Sequence, residues 1–220
     1  MRGLSAGESP QRLRELADAL ASWAASYSGL PAARGLANGV LTPREAIARV
    51  AVVPPERRRP GNITTALAGL GDDFAPAIGL VDLGGDIDGL IAQLPELFAR
   101  VYLANVSTAL TAIVFIHGVT SMTALGHVVP YLDDAAARRL LRYGWQAGSG
   151  LYACFGSGAG LSADTAPGEE DAESLIERAL ANGDEHVIKF AEACFYRHAL
   201  APSPAYPAAV ANVLGMIGRR

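Results

Sequence analysis

Two histidines lie in the least charged part of the chain. From Val101 to Leu132 there is no Asp, Glu, Lys or Arg, and His117 stands near the middle of this segment. If the segment is helical, His117 lies one turn from the hydroxyls of Thr120 and Ser121. The pattern fits a polar pocket wall in which His117 acts as an acid, a base or a donor to substrate. It also fits a core histidine whose hydrogen bonds are met by a hydroxyl or a carbonyl.

His127, the second histidine of the segment, follows ten residues after His117. On one straight helix this separation is about 15 Å, so the two imidazoles cannot bind the same metal ion. Pro130 comes shortly afterwards, and a helix ends before such a proline. We therefore expect His127 to contribute to the end of the helix.

A second group of reactive side chains occupies the stretch GDEHVIKFAEACFYRH. Asp184 is a good N-cap residue, and it places His186 in the first turn of a helix. Glu185 and Lys189 have the i,i+4 spacing of a surface ion pair. His186 and Lys189 are candidate catalytic residues, and the alternative is a capped helix with one ordinary ion pair.

Several motifs that would define a reaction are absent from the sequence. There is no Glu-x-x-His pair for a di-iron bundle, no His-Glu-x-x-His motif and no Gly-x-Ser-x-Gly elbow. Cys154 and Cys194 are far apart and form no Cys-x-x-Cys motif, which argues against structural zinc. The glycine-rich GSGAG at 156–160 follows a predicted helix, whereas a dinucleotide-binding loop follows a strand. We predict no metal site.

The charge of the chain limits its partners. Its 220 residues include 18 basic and 22 acidic side chains, and the only basic cluster is Arg57–Arg59. A nucleic-acid-binding face needs a basic surface, so no nucleic-acid partner is expected. The N-terminal sequence has no apolar signal region. Polar side chains within the charge-free segment argue against a membrane span. We expect a cytoplasmic protein.

Apolar residues recur at helical spacing and predict an all-α fold. Helix-start signals occur at Ser9-Pro10, Thr42-Pro43, Asp133-Asp134 and Asp184. We predict one domain over residues 1–220, a helical bundle with a buried central helix, a flexible N-terminus at 1–8, and loops at 54–62 and 156–168. One helix from Pro95 to Val129 would be about 50 Å long. Because so compact a chain is only roughly 45 Å across, we expect a break near Asn105–Ser107 or a kink at Gly118.

The helix predicted from Ala135 to Phe155 carries both aromatic residues and glycines. Packing in the core is the usual role of residues such as Trp145 and Tyr152, and lining the pocket of an aromatic ligand is the alternative. The same helix contains Gly144, Gly148 and Gly150. These glycines would permit close helix–helix contact within one chain or between two chains, which leaves a homodimer open.

Two blocks of the sequence resemble the questin oxidase-like family. The first is FIHGVTSMTALGHVVPYL followed by ARRLLRYGWQAGSGLYACFG. The second, DEHVIKFAEACFYRHAL, is similar to the family's Asp-x-His-x-Ile-Lys helix. The resemblance spans roughly Val101 to Leu200 and implies an α-helical enzyme of secondary metabolism. That enzyme would cleave aromatic polyketides by a Baeyer–Villiger-like oxidation without a recognisable flavin-binding fold. His117, His186 and Lys189 match the family's motif residues. An active site built on them requires the imidazoles of His117 and His186 to face one shared cavity that holds a flat organic molecule. The bound cofactor is unknown, and molecular oxygen and NADPH are the expected co-substrates.

The chain departs from that family in two respects. Members carry an Asn-His pair before a helix like ITTALAGLG, whereas this chain has Asn62 where the histidine is expected. It is also shorter than the fungal oxidases. We expect the aromatic substrate to contact Asn62, Thr120, Ser121, Trp145 and Tyr152. Two alternatives to an oxygenase stay open: a non-oxidative cyclase or isomerase that uses the same histidines, and a non-catalytic small-molecule-binding or scaffold protein.

Overall fold

The computed structural model describes residues 7–32, 39–161 and 170–218. Within these ranges nine α-helices form a single-domain bundle, which confirms the predicted fold class. They are α1 (Pro10–Ser26), α2 (Pro43–Ile47), α3 (Ile63–Leu67), α4 (Ile87–Asn105), α5 (Ala109–Gly126), α6 (Asp134–Phe155), α7 (Ala172–Asn182), α8 (Glu185–Leu200) and α9 (Ala205–Met216). Single 3-10 turns occupy Pro55–Arg57, Ala75–Gly79 and Val129–Tyr131. The only β-pairing in the described ranges is an isolated bridge between Leu41 and Val81.

Several helices begin at the capping residues that the sequence indicates. The Ser9 hydroxyl accepts from the backbone N–H of Arg12 at 3.3 Å, and the Asp133 carboxylate accepts from that of Ala136 at 2.8 Å. Each bond satisfies a backbone donor that has no partner inside its helix. Residues 1–6 of the predicted flexible N-terminus and 162–168 of the predicted loop lie outside the described residues.

The charge-free segment contains a helical hairpin. α4 ends at Asn105 and α5 begins at Ala109, which confirms the predicted break. Asn105 is buried at the turn, where its amide donates to the carbonyl of Val101 at 2.8 Å and its oxygen accepts from the N–H of Ser157 at 2.9 Å. The reversal of the chain brings α4 and α5 into the most extensive helix–helix contact of the bundle.

The start of α4 differs from the sequence-based expectation. The helix begins at Ile87 rather than at Pro95, because the Asp86 carboxylate caps it by accepting from the N–H of Gly89 at 2.8 Å. Pro95 is a buried residue inside the helix. A proline at such a position removes one helical hydrogen bond, and the packing of α4 at the centre of the bundle offsets that loss.

The central helix α5 is closed on the sides that face α4, α6 and α8 and open on the remaining side. Val114 and Phe115 are buried, whereas Leu110 is 57% exposed and His117 is also exposed. By length and composition alone, the segment Ala109–Tyr131 could cross a membrane, and 50% of its most apolar window is buried inside the bundle. The open side is the one that carries the histidine.

Glycines allow α6 to pack closely on its neighbours. A Cβ atom on Gly144 would lie 2.6 Å from the terminal methyl carbon of Met122 in α5, and one on Gly148 would lie 2.2 Å from Cζ of Phe98 in α4. Both distances are shorter than any real contact. The described contacts at these two glycines are therefore made within the chain.

A buried arginine fixes α8 against α5. Arg197 is 4% exposed, and its Nη2 donates to the carbonyl of Thr123 at 3.2 Å, in the last turn of α5. The carbonyls at a helix C-terminus attract a cation. Burial lowers the pKa of Arg197, and no carboxylate of the described residues forms an ion pair with it. The missing side chain of Gly126 provides the space for this guanidinium, because a Cβ atom there would lie 2.0 Å from Nη2 of Arg197.

Candidate functional site

The imidazole rings of His117 and His186 lie side by side across the contact between α5 and α8. Their centroids are 6.3 Å apart and their planes are inclined by 57°. His117 is exposed, and 26% of the His186 side chain is exposed. The two residues, called the histidine pair below, thus form an open surface site. Neither of them lines any of three well-formed pockets of the described residues, which lie elsewhere on the molecule.

The ring of His117 is held by its own helix. Its Nδ1 lies 2.6 Å from the carbonyl oxygen of Ile113, one turn earlier. A carbonyl oxygen can only accept, so Nδ1 carries a proton and donates. In the neutral ring Nε2 is therefore the free acceptor, and no described residue bonds to it.

The ring of His186 is held by a carboxylate. Nδ1 of His186 lies 3.0 Å from Oδ1 of Asp184, whose side chain is only 5% exposed. The same oxygen accepts from the backbone N–H of His186 at 2.9 Å, as the predicted N-cap. The backbone N–H of Asp184 in turn donates to the side-chain oxygen of Asn182 at 3.1 Å. The sequence predicts Asp184 as a cap but gives no sign that it also orients the ring, because the i,i+2 contact depends on a rotamer.

Lys189 and Glu185 form the predicted ion pair. The ammonium Nζ donates to Oε2 of Glu185 at 2.7 Å, and the two side chains are 67% and 60% exposed. The lysine lies three residues after His186 on α8 and therefore on the same side of the helix. Lys189 therefore adds a positive charge on the side of α8 that carries His186. The carboxylate of Glu185 partly neutralises this charge.

The hydroxyls that follow His117 are occupied by their own helix. Thr120 donates to the carbonyl of Ile116 at 3.0 Å, and Ser121 donates to that of Gly118 at 3.4 Å. Each hydroxyl thus uses its proton on a backbone carbonyl within one turn and keeps only acceptor capacity for a substrate.

The other three predicted substrate contacts have structural roles. Asn62 caps α3, and its side-chain oxygen accepts from the N–H and hydroxyl of Thr65, each at 2.9 Å. Trp145 is fully buried, and its indole N–H donates to the carbonyl of Ala77 at 2.8 Å. Tyr152 is 4% exposed in the same core. Among the described residues, none of the three forms a hydrogen bond or a ring contact with the histidine pair, and Trp145 and Tyr152 are buried in the core.

The second histidine of the charge-free segment, His127, lies at the helix end that the sequence predicts. It is the C-cap residue of α5, and its N–H lies 3.1 Å from the carbonyl of Ala124. Its ring packs on that of Tyr196, with centroids 4.7 Å apart. His127 therefore closes the helix end and takes no part in the histidine pair.

The arrangement suits acid–base chemistry. Asp184 accepts from Nδ1 of His186 and leaves Nε2 of that ring as the proton acceptor, which is how a carboxylate orients a histidine base. The ring of His117 lies next to it and provides a second Nε2 that can accept a hydrogen bond. Within the described residues, no group of three or more His, Cys, Asp and Glu side chains is placed to hold a metal ion, and catalytic zinc sites use three protein ligands.

Comparison of the chain with protein-family models, with curated proteins and with solved structures finds no match. The resemblance to the questin oxidase-like family therefore stays a prediction.

Proposed function

We propose that this protein is an enzyme that acts on an aromatic or polycyclic small molecule, with the histidine pair as its acid–base centre. The observation that carries the proposal is the approach of the two imidazoles, 6.3 Å between centroids, with His186 held by the buried Asp184 carboxylate. A base oriented by a third group is the recurrent arrangement of catalytic histidines. A surface helix that served only as structure would not require a second imidazole beside that of His186.

In this mechanism Nε2 of His186 removes a proton from a phenol or from a carbon next to a ketone of the substrate. The electron pair stays on the substrate oxygen as a phenolate or enolate, and the new imidazolium is stabilised by Asp184. Nε2 of His117, the acceptor in the neutral ring, accepts a hydrogen bond from a hydroxyl of the substrate. The His186 imidazolium then returns its proton to the product. Lys189 lies on the same side of α8 and provides positive charge toward the anion.

The resemblance to questin oxidase suggests what happens to that anion. We propose that it reacts with molecular oxygen, one atom of which enters the ring-cleaved product. The other atom leaves as water, with two electrons from NADPH and a proton. A cyclase or isomerase would use the same proton transfers without oxygen, because the Asp184–His186 contact is an acid–base device and not in itself an oxidative one. The reaction is proposed for the cytoplasm.

The test is oxygen consumption by the purified protein with a panel of hydroxyanthraquinones and NADPH. We expect uptake that His186→Ala and His117→Ala each reduce at least about a hundredfold, the usual contribution of a general base. The matched control is His198→Ala, the same change on the same helix about 18 Å further along its axis. Product formed without oxygen uptake would assign an isomerase, and a ligand that binds without conversion would assign a binding protein.

A further inference from the structure

A groove lined by arginines lies on a part of the molecule that carries neither histidine of the pair. It has a larger lobe of about 290 Å³ and a smaller lobe of about 50 Å³. The two lobes are adjacent, because both are lined by Val53, Arg57, Gly69 and Leu70. We call this feature the arginine groove. Its walls come from the loop after α2, the chain around α3 and the end of α6.

The floor of the groove is apolar. Val53 and Leu70 lie where the two lobes meet, Phe74 lines the larger lobe, and Ala66 and Phe155 line the smaller one. A molecule in the groove would therefore bury apolar surface on one side, which favours binding by roughly 25 cal/mol for each Å² removed from water.

Two of the three successive arginines on its rim are already engaged. Nε of Arg58 donates to the carbonyl of Val53 at 2.9 Å and Nη2 donates to that of Gly156 at 2.6 Å, so Arg58 ties the loop to the end of α6. Arg57 lies 3.5 Å from Asp73, and both side chains are largely exposed. Such an exposed ion pair contributes little and exchanges readily.

Arg59 is placed over the groove without a partner. Its aliphatic stem lies on Gly69, where a Cβ atom would stand 2.8 Å from its Cδ and 3.0 Å from its Cγ. No hydrogen bond or ion pair joins its guanidinium to any described residue. Its guanidinium therefore lies beside an apolar floor, with Arg58 engaged by carbonyls and Arg57 paired with Asp73, which also lines the larger lobe.

We propose that the arginine groove binds a small organic anion, in which a carboxylate or sulfonate is attached to a flat apolar body. The fork of Arg59 would bind the anionic group through two parallel hydrogen bonds, and Arg57 would add to the positive field. The ring system would lie on Val53 and Leu70. The larger lobe is at the lower end of the size range of ligand pockets, which limits the ligand to about two fused rings.

The groove does not depend on the proposed enzymatic function. None of its walls belongs to α5 or α8, which hold the histidine pair. The ligand would therefore occupy a second site, and its binding would survive substitution of either histidine.

The experiment is a calorimetric titration with 2-naphthoate and with its neutral counterpart 2-naphthamide. We expect one naphthoate per chain and at least about tenfold weaker binding of the amide, since a charge-assisted hydrogen bond is lost. Arg59→Gln should weaken naphthoate binding about tenfold or more. The control Arg139→Gln removes the same charge from the exposed face of α6 and should leave the affinity within about twofold. His186→Ala should not change it.

Three results would overturn the proposal. One is no binding of naphthoate up to millimolar concentration, and another is equal affinity for acid and amide. The third is equal affinity of the Arg59→Gln and Arg139→Gln variants for naphthoate.

A second measurement locates the ligand. Cys154 lines the smaller lobe, whereas Cys194 is fully buried elsewhere in the core. Saturating naphthoate should slow modification of Cys154 by N-ethylmaleimide, measured by mass spectrometry, more than that of Cys194. Equal slowing of both thiols would mean general stabilisation and would remove the ligand from this groove. Gly69→Ala should also weaken binding, because its methyl group displaces the stem of Arg59.

Discussion

Oδ1 of Asp184 accepts two hydrogen bonds from His186, one from the backbone N–H at 2.9 Å and one from Nδ1 at 3.0 Å. One oxygen atom therefore both begins helix α8 and sets the orientation of a ring in the histidine pair. The two roles can be separated, because asparagine keeps an oxygen at this position and is itself a good N-cap residue.

Asp184→Asn should lower kcat by at least about tenfold with little change in KM, because the imidazolium loses its counter-charge. The free energy of unfolding should change by less than about 1 kcal/mol, since the cap is kept. Asp184→Ala should lower kcat and also destabilise the fold. Steady-state kinetics and urea unfolding of both variants measure the difference. A wild-type kcat in Asp184→Asn would leave Asp184 as a cap only.

Lys189→Gln should lower kcat several-fold if its ammonium stabilises the substrate anion. The matched control is Glu185→Gln, which breaks the same 2.7 Å ion pair and leaves the cation in place. Because the pair is exposed, both variants should lose less than about 0.5 kcal/mol of stability. Equal kcat values in the two variants would exclude Lys189 from the chemistry.

Gly148→Ala should destabilise the protein by about 1–3 kcal/mol, the usual cost of overpacking a core. The added Cβ would lie 2.2 Å from the Phe98 ring, and the ring must move. Gly215→Ala on α9 is the control, since nothing lies within 4 Å of its Cβ. That change should stabilise by about 0.5–1 kcal/mol through helix propensity. Urea unfolding at fixed pH gives both values, and a negligible loss in Gly148→Ala would contradict the close approach of α6 to α4.

Trp145→Phe should destabilise by at least about 1–3 kcal/mol, because the buried carbonyl of Ala77 loses its donor and the smaller ring leaves a cavity. The control Tyr143→Phe changes a 53% exposed aromatic residue of the same helix, and it should stay within about 0.5 kcal/mol of wild type. Thermal and urea unfolding test this. If the variant retained full stability, the 2.8 Å bond from Trp145 to Ala77 would have no energetic role.

Burial raises the pKa of the Cys154 thiol to about 11, whereas an unfolded cysteine ionises near about 8.5. The folded protein holds this proton more tightly, so the thiol's contribution to stability is complete below about pH 8.5 and declines as the pH approaches 11. The free energy of unfolding of Cys154→Ala should therefore fall less steeply between pH 8.5 and 10 than that of wild type. Parallel slopes would show that this thiol does not contribute.

Much of the local structure follows from the sequence. The caps at Ser9, Asp133 and Asp184 and the Glu185–Lys189 pair join residues that are two to four positions apart. Such bonds are made by a helix with itself and need no partner element. The composition of α5 gives much less information, because a helix that is apolar on nearly every side has no periodicity to indicate which side stays open.

In the candidate site, too, the sequence indicates individual residues and local bonds, whereas the tertiary structure decides how they are arranged. Sequence reasoning expects His117 and His186 to face one cavity, whereas the structure places the histidine pair at an open surface. It also selects Thr120 and Ser121, whose hydroxyl protons the structure commits to backbone carbonyls. It detects the run Arg57–Arg59 but gives it no role, because the apolar floor comes from distant parts of the chain.

By itself, the sequence determined the helical class, the helix starts at Ser9, Thr42, Asp133 and Asp184, and the ion pair on α8. These features depend on hydrogen bonds and spacings within one or two turns. Only the tertiary structure decided that His117 and His186 meet at an open surface rather than around a cavity, and that Arg59 lies over a groove. Those contacts join residues far apart in the chain. Their positions depend on how the helices pack. The packing is set by close contacts such as that of Phe98 on Gly148 and that of Arg197 on Gly126.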